Sequence, residues 1–178
     1  ENLGSLYRIE KRYEESEQIL KEAIKKEHIP AINILGILYE DMGREKEAEE
    51  KYKEADLKGN KYALRNLGNL YRLEKRYEES EQALKEAIRK GDTSALNTLG
   101  HLYKDQGRYE EAEAEYKKSE LEGSADATNY LGILYEDMGR EKEAEEKYKE
   151  AASKGNKYAL ENLGSLYRIE KRYEESEQ

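Results

Sequence analysis

A Leu-Gly pair followed by Leu-Tyr returns along this chain at a constant interval, and that register limits the possible folds more than any other feature. It occupies Leu3-Gly4/Leu6-Tyr7, Leu35-Gly36/Leu38-Tyr39, Leu67-Gly68/Leu70-Tyr71, Leu99-Gly100/Leu102-Tyr103, Leu131-Gly132/Leu134-Tyr135 and Leu163-Gly164/Leu166-Tyr167, each step 32 residues. Self-similarity at such a period marks a chain made of stacked copies of one supersecondary unit. The spacing inside a unit says which unit it is. In the copy containing Leu67, Ala63, Leu64, Leu67, Leu70 and Tyr71 recur three and four residues apart, which predicts a helix A over roughly 61–73 with one apolar face. Ser80, Ala83, Leu84, Ala87 and Ile88 predict a helix B over roughly 77–90.

Glycines punctuate the pattern. Gly43, Gly107 and Gly139 stand between A and B, and Gly59, Gly91, Gly123 and Gly155 between B and the next A, where a helix end favours a left-handed residue. The first B-to-A junction reads Glu27-His28-Ile29-Pro30 instead, with Pro30 suited to the first turn of a helix. A glycine also sits inside every helix A, at a cost of about 1 kcal/mol relative to alanine. Its retention at Gly36, Gly68 and their equivalents predicts a close helix approach. Small residues on helix B (Ser16, Ala48, Ser80, Ala112, Ala144, Ser176) match it, each followed four residues later, where the chain continues, by a bulky Leu20, Tyr52, Leu84, Tyr116 or Tyr148.

These residues resemble the tetratricopeptide repeat family: Leu131-Gly132, Tyr135, then Ala144-x-x-x-Tyr148, recurring along the whole chain. The period differs from the family's usual 34 residues, and its terminal proline appears only as Pro30. The short B-to-A junctions, such as Ala151 to Leu160, look like the related SEL-one-like repeat, so the chain reads as a hybrid. The resemblance implies an all-α, right-handed superhelical solenoid of tandem hairpins over residues 1–178, the last unit incomplete, offering a groove to a peptide or partner protein.

Composition narrows the function classes. The net charge of −9 argues against nucleic acid and anionic membrane as partners. There is no cysteine and no apolar run of membrane-spanning length. The missing cysteines and the lack of a visible signal peptide lean toward the cytoplasm, with the compartment otherwise open. His28 and His101 lack partners at metal-ligand or general-base spacing and read as ordinary junction or surface side chains; no catalytic set, metal or cofactor is expected. Runs such as Lys46-Glu47-Ala48-Glu49-Glu50-Lys51 read as a solvated face with local ion pairs.

Carried over from the resemblance, the inner positions of helix A after the Leu-Gly pair are Ser5, Ile37, Asn69, His101, Ile133 and Ser165. The next turn supplies Arg8, Glu40, Arg72, Lys104, Glu136 and Arg168, and the preceding one Asn33, Arg65, Asn97, Asn129 and Glu161. From these, Arg8, Asn33, Glu40, Arg65, Asn69, Arg72, Asn97, His101, Lys104, Asn129, Glu136 and Arg168 are the expected peptide- or partner-binding residues. Their charges alternate, so they are equally able to pair with one another in a ladder. Arg72 and Lys104 form its one adjacent like-charged step and the expected opening for an acidic peptide. The alternative to a ligand-binding scaffold is a structural or self-assembling array, natural or engineered, without a ligand. It draws on residues 1–18 recurring unchanged at 161–178, a whole number of units apart, which raises the expectation of end-to-end self-association.

Overall fold

A computed structural model describes residues 12–176, with side chains through 168. The described residues form ten helices and no strand: α1 (Tyr13–Lys25), α2 (Ile29–Asp41), α3 (Glu45–Leu57), α4 (Ala63–Leu73), α5 (Tyr77–Arg89), α6 (Ala95–Asp105), α7 (Tyr109–Leu121), α8 (Ala125–Asp137), α9 (Glu141–Ser153) and α10 (Ala159–Ser176). Even-numbered helices carry the Leu-Gly register and are the A helices; odd-numbered ones are the B helices. The first register copy with Ser5 and Arg8, and the side chain of Ser176, lie outside the described residues.

The chain divides into two compact units, Glu1–Thr98 and Leu99–Gln178, with the boundary inside α6. In the first, α2 packs on α1 and α3, and α4 on α3 and α5; in the second, α8 packs on α7 and α9, and α9 on α10. The residues that share a face by spacing are the ones buried. Ala63, Leu67, Leu70 and Tyr71 of α4 are buried, as are Leu84 and Ala87 of α5, while Ile88 is only half-buried. With neither Phe nor Trp in the chain, the largest fully buried side chains are Tyr52, Tyr116 and Tyr148.

Helix A of the Leu67 copy begins at Ala63, two residues later than its apolar spacing suggests. Asn60 Oδ1 accepts the Tyr62 N–H at 3.0 Å, so residues 60–62 are held in a side-chain-closed turn instead of a first helical turn. Pro30 falls in the first turn of α2, as expected. The helix-end glycines adopt positive φ, Gly91 at 92° for example, but Glu27 and Lys75 occupy the same conformation at 61° and 60°. A side chain there costs about 1 kcal/mol relative to glycine. In α10 the corresponding turn is not made: the helix runs unbroken through Glu170-Lys171-Arg172, the same three residues that turn at Glu74-Lys75-Arg76. All three are good helix formers, so local propensity alone favours the straight form.

The mid-helix glycines are contact points. A Cβ built on Gly36 would lie 2.6 Å from Tyr52 Cε1, one on Gly68 2.6 Å from Leu84 Cγ, and one on Gly132 2.5 Å from Tyr148 Cε1. The group resting on the glycine is therefore the bulky residue of helix B, with the small residue beside it; Ser80 Oγ donates to the Gly68 carbonyl at 2.6 Å. A Cβ at Gly164 would meet nothing within 4 Å.

Two glycine substitutions should thus have opposite signs. Gly68→Ala forces Leu84 off its seat and is expected to destabilise by about 1–3 kcal/mol. Gly164→Ala meets no neighbour and should stabilise by up to about 1 kcal/mol through helix propensity. Chemical denaturation of the two variants measures both, and equal effects would show that the glycine is not a packing site. Lys75→Gly, which relieves a positive φ, should stabilise by roughly 0.5–1 kcal/mol in the same assay.

Candidate functional site

The candidate face is the surface of the A helices beside the glycine contact, and the packing under it decides which polar groups remain for a ligand. Where helix B supplies a tyrosine, its ring lies on the glycine and its hydroxyl emerges one turn further along helix A. In two hairpins a glutamate waits there. Tyr52 Oη donates to Glu40 Oε2, and Tyr148 Oη donates to Glu136 Oε2 at 2.8 Å. Burial raises the Glu40 carboxyl above its ordinary range despite that bond, and raises the Tyr148 phenol further still with help from Glu136. In the third such hairpin the glutamate is replaced by Lys104, and the Tyr116 hydroxyl turns to His101 Nδ1 at 2.6 Å instead. His101 also makes a T-shaped contact with Tyr130, with ring centroids 4.4 Å apart.

Most of the remaining expected residues are also engaged. Asn33 and Asn129 are buried, and each accepts an amide hydrogen bond at 3.0 Å from the following A helix, from Asn66 and Asn162 respectively. Arg65 Nε donates to the buried carboxylate of Asp92 at 2.9 Å. Arg72 lies on Asn69 Oδ1, at 3.3 Å from Nε and 3.1 Å from Nη2. Asn97 is half-buried in α6, and Arg168 is exposed on α10. Arg8 lies outside the described residues.

Two expectations are corrected here. Lys104 does pair with the next hairpin, but its partner is Asp137 at 2.8 Å and not Glu136, whose carboxylate already accepts the Tyr148 hydroxyl. Likewise Glu40 is taken by its own hairpin's tyrosine, so the alternating ladder of helix-A charges is replaced at both glutamates by bonds within a hairpin. Arg72 and Lys104 each have a partner, a neutral amide oxygen of Asn69 for the first and the Asp137 carboxylate for the second.

Sequence reasoning missed a second set of residues. Within the run that reads as a solvated face, Glu49 accepts from Tyr71 Oη at 2.9 Å and from Arg76 Nη1 at 2.7 Å, while the Arg76 guanidinium stacks 4.0 Å from the Tyr71 ring centroid. Glu17 holds Tyr39 and Arg44 in the same way, and Glu113 holds Tyr135 and Arg140. One carboxylate on helix B thereby clamps both the A helix and the A-to-B turn of the next hairpin. The signal that could have found it is the recurrence of that Glu and Arg in the same 32-residue register as the Leu-Gly pair.

Together these observations define an all-α protein of helix-turn-helix repeats. Family models described as tetratricopeptide repeat match residues 1–25, 62–90 and 97–159. The chain is a tetratricopeptide-repeat protein. No curated protein matches it in sequence. Among solved structures it is similar to the crystal structure of MamA, at 24% identity over 88% of this chain and 96% of that one, with a TM-score of 0.66. It is also similar to pilF of Pseudomonas aeruginosa, at 21% identity over 97% and 83% with a TM-score of 0.75. A third is TTC0263, a thermophilic TPR protein of Thermus thermophilus, at 22% identity over 93% and 96%, also with a TM-score of 0.75. Likeness at this identity speaks for the fold alone. Among the described residues no helix is long and apolar enough to cross a membrane.

The clamp has a pH signature. Bonds from Arg76, then Lys53 and Tyr71, outweigh burial and hold the Glu49 carboxyl down at about 2. At Glu17 burial pushes upward, but Lys21, Tyr39 and Arg44 together leave it lowered. A carboxyl depressed in the folded state adds stability that is present above its unfolded value, about 4.3, and is lost as pH falls toward the folded one. Denaturant midpoints should therefore drop between about pH 5 and 2. Glu49→Gln should cost about 1–2 kcal/mol at pH 7 and flatten that slope. Glu40 has the opposite sign, because its raised carboxyl contributes stability that is lost as pH rises; Glu40→Gln should stabilise above pH 5 while still accepting from Tyr52.

Proposed function

We propose that the chain is a protein-interaction scaffold that presents the helix-A face of its hairpins as a groove to a peptide or partner protein. One contrast carries this reading. Ile37, Asn69, His101, Ile133 and Ser165 occupy one repeat position, are all half-buried, and bring four different side-chain types to it. The Leu, Gly and Tyr residues around them are invariant because packing and the clamp demand them. Variation at half-open positions on a rigid frame is what recognition of a particular ligand requires. The reading treats residues 1–178 as one array whose hairpins coil right-handedly at a 32-residue step, with junctions of the SEL-one-like kind, and it assigns no catalytic step. An acidic chain favours protein over nucleic acid or anionic membrane as the partner.

A second reading, a structural array without a ligand that associates end to end, draws on the near identity of the copies beginning at Leu35 and Leu131 and of residues 1–18 and 161–178. Peptide-library selection on the immobilised chain separates the two. The scaffold reading expects a selected sequence whose affinity falls about tenfold, or 1.4 kcal/mol, in both Asn69→Glu and Ile133→Glu while melting is unchanged. No enrichment of any sequence, together with size growing with concentration by light scattering, would favour the ligand-free array.

A further inference from the structure

The positions that make α4 polar make the corresponding face of the second unit aromatic. The place held by Asn66 in α4 is taken by Tyr130 in α8, and the place held by Asn69 is taken by His101 in α6. His101 and Tyr130 stand edge to face at 4.4 Å, and Tyr116, itself buried, lies under both with centroids at 5.5 and 5.7 Å. The row continues toward α10: Asn156 donates to Asp126 in the first turn of α8 at 2.7 Å and accepts the Tyr158 N–H at 3.0 Å, which seats Tyr158 beside α8. Tyr130 is half-buried, and burial, then the nearby Asp126 and Tyr158, raise its phenol. Tyr158 is 54% exposed, and Lys157 Nζ already sits 4.7 Å from the centre of its ring.

A cation over a tyrosine face is therefore a contact this surface already makes with its own chain. The long-range charge favours a cation as well. Residues 99–178 carry 20 acidic side chains against 13 basic ones, and so hold most of the net charge of −9. Lys104, one turn along α6 from His101, is paired with Asp137 at 2.8 Å. Asp126 and Glu161 add exposed carboxylates on the two helices that border the row.

We infer that His101, Tyr130 and Tyr158 form an aromatic recognition stripe for the basic side chains of a partner peptide, arginine above all. The guanidinium stacks on the Tyr158 and Tyr130 rings while the surrounding carboxylates steer it in. Arginine is favoured over lysine because its planar, weakly hydrated group stacks on a ring without the desolvation an ammonium requires. Lys157 occupies a ring the ligand would use and so competes with it. This assignment rests on the scaffold reading and names the partner chemistry for one part of that surface.

The test uses an eight-residue Arg-Gly repeat peptide and its Glu-Gly counterpart as probes on the full chain, in 0.15 M salt. The chain has two histidines, so the His101 ring resonances are assigned by comparison with His28→Gln and report contact directly. The Arg-Gly peptide is expected to shift them and the Glu-Gly peptide to leave them in place. Tyr158→Ala should weaken Arg-Gly binding about two- to fivefold, Tyr130→Leu similarly, and the double variant about tenfold; Tyr158→Phe should retain it. Lys157→Ala should tighten it. Tyr158 is an exposed site, so its variants stay folded, which melting verifies. Arg-Gly binding indifferent to both tyrosines, or preference for Glu-Gly, overturns the stripe and leaves the scaffold reading standing. Absence of binding by either probe also overturns the stripe, and the library selection then decides the scaffold reading separately.

Discussion

The contact between a mid-helix glycine and the side chain laid on it governs everything else in this protein. Leu84 on Gly68, and Tyr52 or Tyr148 on Gly36 or Gly132, bring two short helices so close that a single added carbon would overlap the plug. The glycine's cost in helix propensity is offset by the buried ring or isobutyl group that replaces it as neighbour. A tyrosine plug has a further consequence. Its ring is fixed, so its hydroxyl must emerge at one place on helix A and needs an acceptor there. Glu40 and Glu136 meet that need, which removes them from any ladder of surface charges.

Where the acceptor changes, the surface changes with it. Lys104 cannot accept a phenol hydrogen, and the Tyr116 hydroxyl is satisfied by His101 one turn earlier. That single exchange anchors the imidazole on Tyr116, crosswise to the Tyr130 ring, and leaves the lysine to Asp137. A packing decision on helix B thus sets the surface chemistry of a helix-A face, through one hydroxyl group.

Successive hairpins are joined by a different device. Glu17, Glu49 and Glu113 each bind the next hairpin's tyrosine and arginine, and the arginine stacks on that tyrosine in turn. Exposed ion pairs contribute little singly, but this carboxylate is mostly shielded and takes two directed bonds whose donors are themselves stacked. The clamp also secures the A-to-B turn, since its arginine follows the left-handed residue. At Arg76 it anchors a turn whose preceding Lys75 would be better off as glycine.

The fold was legible because its signals are periodic. The Leu-Gly register, the three-and-four spacing of Ala63 to Tyr71 and the junction glycines all state local geometry, which a linear sequence records directly. Glu49 was misread because a glutamate in a charged helix looks the same whether it faces water or a neighbour's phenol; only its recurrence in register with Arg76 distinguishes it. Among the expected binding residues, Asn33, Asn129, Glu40 and Glu136 each lend a side-chain oxygen to a bond that holds the fold. By itself, then, the sequence determined the helices, the hairpin unit and the glycine contact, because these depend on spacing along one chain. Which polar groups are consumed and which stay open was decided only by tertiary structure, because a hydrogen bond such as Tyr116 to His101 depends on where two helices meet in space.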